Sequence, residues 1–171
     1  MHQQIFTVEF IWAAALLGVG ATAFIDLWAL SLRHCLGVTS LDFRYFGRWV
    51  GHLRYGVLHH RNITQSAPVN GEQIIGWGLH YAIGVVFAAV LLLVTGPDWL
   101  VRPNVLPALW LGALTVVFPY FILQPCLGAG VAARLTPQPQ RARLKSLLTH
   151  LMFGVGLYVS ARLFYTLELL P

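Results

Sequence analysis

The sequence predicts an all-α integral membrane protein: a four-helix bundle of two tandem helical hairpins, with an amphipathic helix lying at the membrane surface. Three observations carry this expectation. Charged residues make up only 10% of the chain, against 57% hydrophobic, with a mean hydropathy of +0.69. A soluble domain carries about 25% charged residues, and a chain of 171 residues forms too small a core to hide so much apolar surface. Second, four apolar stretches, near residues 10–32, 74–95, 105–127 and 146–167, match the roughly 20 residues that a spanning helix needs. Third, nine of the eleven Lys/Arg lie in residues 33–61 and 134–145. These are the loops after spans one and three, and such banding marks the cytoplasmic side. The length allows a single domain, 1–171.

The net charge of +5 and pI near 9.7 do not imply nucleic acid, because no recognition motif accompanies the charge. Cys35 and Cys126 sit in neither a CxxC nor a Cys/His zinc spacing. Both fall near expected cytoplasmic ends of spans, where thiols stay reduced, so no disulfide is expected.

Span one, 10–32, contains Asp26. Gly18, Thr22 and Asp26 recur every four residues and share one helical face. A small, polar face points to protein rather than lipid. The apolar run continues past Ala21-Thr22-Ala23 and lacks a basic leader, so cleavage as a signal peptide is not expected. The loop 33–73 is read as cytoplasmic, with an amphipathic helix over 41–55 capped by Ser40. Phe43, Phe46, Trp49, Val50 and Leu53 form its apolar side. Arg44, Arg48 and Arg54, with Trp49, are expected to contact lipid headgroups. His52, His59 and His60 read as a solvated or headgroup-contacting surface, with a peripheral metal site as the alternative.

Span two, 74–95, carries His80 near its start and ends at a Gly96-Pro97 turn. Trp99 and Trp110 suit a headgroup belt. Span three, 105–127, contains Pro119 and Pro125, each of which removes a backbone donor and should kink or end the helix. Gln124 is a polar group near its cytoplasmic end. Span four, 146–167, follows the cluster Arg141, Arg143, Lys145 and carries His150. Both basic loops on one side place both termini in the periplasm.

An internal repeat is suggested by HxxxGV at His80 and again at His150, and by Cys-Leu-Gly at Cys35 and Cys126. At 1.5 Å per residue, His80 lies roughly 10 Å beyond Gln73, His150 roughly 7 Å beyond Lys145, and Asp26 roughly 10 Å short of Arg33. The three groups are thus expected to converge at one depth near the cytoplasmic side. Gly84 and Gly154, one turn deeper, leave room beside each imidazole for another helix or a flat ligand.

Several segments resemble a family of small bacterial inner-membrane proteins catalogued only as a domain of unknown function. These are GVGATAFIDLWAL from Gly18, FGRWVGHL from Phe46, GWGLHYAIGV from Gly76, Gly128-Ala129-Gly130 to Thr136-Pro137, and SLLTHLMFGVGLY from Ser146. The resemblance covers nearly the whole chain. It implies a bacterial four-span protein in whose pattern Asp26, His80 and His150 belong. Cys126 is not part of that pattern, and the family brings no reaction, cofactor or partner.

Asp26, His80, His150 and Gln124 are therefore the candidates for binding a ligand or handling protons. Two neutral imidazoles on facing helices can ligate haem, or a divalent metal with Asp26 as third ligand. The plainer reading makes them hydrogen-bonded clamps between helices, with Asp26 paired to a histidine or to Gln124. Gly18, Thr22, Gly84 and Gly154 are the close-packing positions beside them. No Ser-His-Asp motif, P-loop or dinucleotide-binding glycine pattern is present, and Asp26 with two histidines lacks a nucleophile. The expectation is a non-enzymatic binding or accessory protein, associating with itself or with a larger membrane complex. A haem- or metal-dependent redox or proton-coupled protein is the alternative. A small transporter acting as an oligomer is the third reading.

Overall fold

The computed structural model describes residues 8–169, and every regular element among them is helical. The long helices are α1 (Val8–Leu36), α3 (Glu72–Thr95) and α7 (Pro139–Thr166). Between them lie α2 (Phe43–Leu53), a short α4 (Asp98–Val101), α5 (Val105–Thr115) and a short α6 (Gln124–Leu127). Four segments are long and apolar enough to cross a membrane: α1, α3, α7 and Val105–Leu127. The protein is thus an all-α, four-helix membrane bundle.

Val105–Leu127 is not one regular helix. α5 ends at Thr115, and a π-helical turn covers Pro119–Leu123 before α6 begins. Pro119 has no N–H for an α-helical bond to the carbonyl four residues earlier, and its ring crowds that carbonyl. The π turn lets the chain absorb this defect and continue. α6 then stops at Gly128, where φ is +96°. A side chain there would be strained and would also collide with the Arg61 carbonyl, which occupies the space of a Cβ.

The chain forms two compact units. The first comprises α1, α3 from Tyr81, α4, α5 up to Leu114 and α7 from His150. Its core takes Leu17 from α1, Ala88 and Leu91 from α3, Ala108 from α5, and Phe153 and Leu157 from α7. The helices approach closely through small residues. A methyl at Gly18 would collide with Val85 and Gly84, and one at Gly84 with Thr22 Oγ1. One at Gly154 would meet the Ala108 carbonyl, and one at Gly112 the His150 carbonyl. Within a bilayer, where burial of apolar surface drives little, such close packing is what holds spans together.

The second unit comprises residues 40–80 and 115–149. Here α2 is shorter than the expected 41–55, and its N-cap is Asp42 rather than Ser40. The Asp42 carboxylate accepts from the Arg44 N–H at 3.1 Å, and an aspartate is the stronger acceptor at a helix N-terminus. α2 is also packed on protein. A methyl at Gly47 would collide with the Glu72 carbonyl, and one at Gly76 with the Phe43 carbonyl. These two glycines, unfavourable for isolated helices, are what let α2 lie against the start of α3.

Candidate functional site

In the first unit, the Tyr81 hydroxyl donates to Asp26 Oδ2 at 3.0 Å, joining α1 to α3. Tyr81 is a partner that sequence reasoning missed, although it directly follows His80. An apolar span offers a carboxylate few donors, and a phenol keeps its ring in the apolar surroundings while presenting its O–H. One turn from Asp26, the buried Thr22 hydroxyl donates to the Gly18 carbonyl at 2.7 Å. That leaves Thr22 as a compact surface against which Gly84 packs.

The two intramembrane histidines have different surroundings. The His80 ring stacks on Phe43 of α2, with centroids 4.0 Å apart and planes 25° apart. Trp77 stands edge-on to it at 5.8 Å. His80 is thus part of an aromatic cluster that ties α2 to α3. His150 lies in the first unit, where its main chain meets Gly112 of α5. Among the described residues, no group of three or more His, Cys, Asp or Glu side chains is placed to hold a metal ion. The face of Gly84 meets α1, and that of Gly154 meets α5. Of the two occupants expected beside these glycines, a helix and a flat ligand, the structure places helices.

In the second unit, the Gln124 amide donates to Ser146 Oγ at 3.0 Å, while its Oε1 is buried without a hydrogen-bond partner. The Tyr120 hydroxyl donates to the Arg143 carbonyl at 2.7 Å. Both links join the region around the π turn to the start of α7.

The headgroup assignments require a correction at Arg48. It is only 7% exposed. Its Nε and Nη2 donate to the two Glu72 oxygens at 2.8 and 2.7 Å, and its Nη1 to the Ile63 and Ser66 carbonyls at 3.2 and 3.0 Å. The hydrogen bond that Arg48 donates to Glu72 raises the Arg48 pKa further above its ordinary value. Glu72 also accepts from the Val69 N–H at 2.9 Å. Helical spacing put Arg48 on the polar side of α2, but that side folds over residues 63–72. Arg44 is exposed and paired with Asp42 at 2.7 Å. Exposed Arg54 stacks over Tyr55. The Trp49 indole N–H donates to the Leu58 carbonyl at 2.9 Å. Trp99, expected in a headgroup belt, is instead buried and donates to the Asn104 carbonyl at 3.0 Å; Trp110 is exposed.

A further polar cluster joins residues that sequence reasoning left on the surface. His52 Nδ1 and His60 Nε2 lie 2.8 Å apart. The Cys126 carbonyl accepts from the His60 main-chain N–H at 2.9 Å and lies 3.3 Å from His60 Nδ1. This carbonyl is in the last turn of α6, where the helix itself supplies no donor.

No curated protein and no solved structure matches this chain. The family described as "Protein of unknown function (DUF2938)" matches residues 15–164. That match takes in α3, α5, most of α1 and nearly all of α7, and the chain belongs to this family of unknown function.

Proposed function

We propose that this is a small, non-enzymatic binding or accessory protein of the bacterial inner membrane, with both termini in the periplasm. The observation that carries this reading is the filling of the faces beside His80 and His150. Gly84 and Gly154 pack against α1 and α5, which favours polar groups serving as helix clamps over a slot for a flat cofactor. The basic residues of loops 33–73 and 128–145 support the orientation. The matching use of Gly84 and Gly154 as crossing points, each four residues after a histidine, supports descent from a duplicated hairpin. Association with itself or with a larger complex completes the reading.

Detergent-purified protein is the test. The expected sample is colourless, with iron and zinc well below one per chain, and it sediments as an assembly larger than the 19.0 kDa monomer. A stoichiometric haem spectrum would overturn this reading in favour of a redox protein.

The Asp26–Tyr81 pair supports a second, proton-coupled reading, because intramembrane carboxylates are costly and commonly functional. Infrared difference spectra of lipid-reconstituted protein between acid and neutral pH decide it. A protonated-carboxyl band lost in Asp26→Asn supports proton handling, and the absence of such a band leaves Asp26 a packing role.

A further inference from the structure

We propose that the turn at 54–59, which follows α2, docks on the bilayer surface and takes an anionic lipid headgroup. Tyr55, Val57 and Leu58 lie outside all four spans, yet they are 67%, 40% and 58% exposed. Apolar side chains clustered bare on a surface mark a contact site. The turn is also pinned. The Val57 N–H donates to the His52 carbonyl at 3.3 Å, and the Leu58 carbonyl accepts from the Trp49 indole at 2.9 Å. The His60 N–H donates to the Cys126 carbonyl at 2.9 Å. Cys126 is in the last turn of the span Val105–Leu127, so the turn is held at the height where that span leaves the bilayer. A pinned surface gives up little conformational entropy when it binds.

Charge selects the occupant. The Arg54 guanidinium stacks over the Tyr55 ring, 4.6 Å from its centroid, and Arg61 is exposed just past the turn. The acids of this unit, Asp42 and Glu72, are already paired with Arg44 and Arg48. Among the described residues, neither Arg54 nor Arg61 is in an ion pair. Stacking occupies the face of a guanidinium and leaves its N–H edge for a phosphate oxygen. Tyrosine favours the headgroup boundary, with its ring toward the acyl chains and its hydroxyl toward water. Apolar tips beside arginines match a surface that is anionic outside and apolar just beneath. A soluble acidic partner would satisfy the arginines alone, whereas the bilayer beside the span supplies both layers.

The full chain in nanodiscs of mixed phosphatidylcholine and phosphatidylglycerol, with its Leu and Val methyls labelled for NMR, tests the docking. A trace of one lipid or the other carries a nitroxide at the same depth in its acyl chain. Paramagnetic relaxation of the Val57 and Leu58 methyls should be at least about threefold stronger from labelled phosphatidylglycerol, since each basic residue at the surface favours anionic lipid by roughly fivefold. The double variant Arg54→Gln with Arg61→Gln should bring that ratio to about one, while the buried Leu157 methyls keep their shifts and report an intact fold. High salt on the wild type should lower the ratio in the same direction. A wild-type ratio near one would overturn the proposal, as would a folded double variant that keeps the wild-type preference. Methyls relaxed by a water-soluble gadolinium chelate and by neither labelled lipid would also overturn it, and would leave the turn to a soluble acidic partner.

Discussion

Arg48 illustrates how much one buried charge commits a membrane protein to a single arrangement. Its guanidinium meets Glu72 and the carbonyls of Ile63 and Ser66, so every partner loses by its removal. Arg48→Met should lower stability by about 3–5 kcal/mol, because Glu72 is left buried and uncompensated. Adding Glu72→Gln to Arg48→Met should recover part of that loss, measured as a double-mutant cycle in detergent unfolding; strict additivity would contradict the ion pair. Tyr81→Phe should cost far less, about 0.6 kcal/mol, the average for a hydrogen bond between membrane helices. Unfolding free energies of these variants under one set of conditions would establish the ranking.

At the scale of elements, the glycines divide by what surrounds them. Gly84 and Gly154 lie where a methyl would collide with a neighbouring helix, whereas nothing lies within 4 Å of a methyl at Gly78. Gly154→Ala and Gly84→Ala should each destabilise by about 1–3 kcal/mol through overpacking. Gly78→Ala should stabilise α3 by up to about 1 kcal/mol through helix propensity. Thermal unfolding of the three variants checks the opposite signs. Gly47→Val should lift α2 from the start of α3, since the added side chain collides with the Glu72 carbonyl. The Phe43–His80 stack would separate with it, and the upfield ring-current shift of the His80 ring protons should then disappear.

For the whole molecule, the orientation proposed above rests on charge, and fusions at each end test it. Reporters joined to both termini should show periplasmic activity, and one inserted near Asn70 should show cytoplasmic activity. The reverse pattern would contradict the positive-inside assignment.

Much of this architecture was legible in the chain because lipid imposes one-dimensional rules. Length, apolarity and the banding of arginines mark the four spans without knowledge of any contact. Pro119 announced the break in Val105–Leu127 because a missing N–H is a local fact. Partnerships between distant residues were not legible. Tyr81 meets Asp26, and Arg48 turns inward to Glu72, 24 residues away. The pairing of His52 with His60 was equally hidden, because its third member is a main-chain carbonyl that any residue at position 126 would supply. Sequence alone determined that the protein lies in a membrane as four helices, since transfer into lipid depends on each segment's own composition. Only the tertiary structure decided which polar groups meet, since hydrogen bonds and ion pairs act over about 3 Å and depend on how the helices are rotated and where they cross.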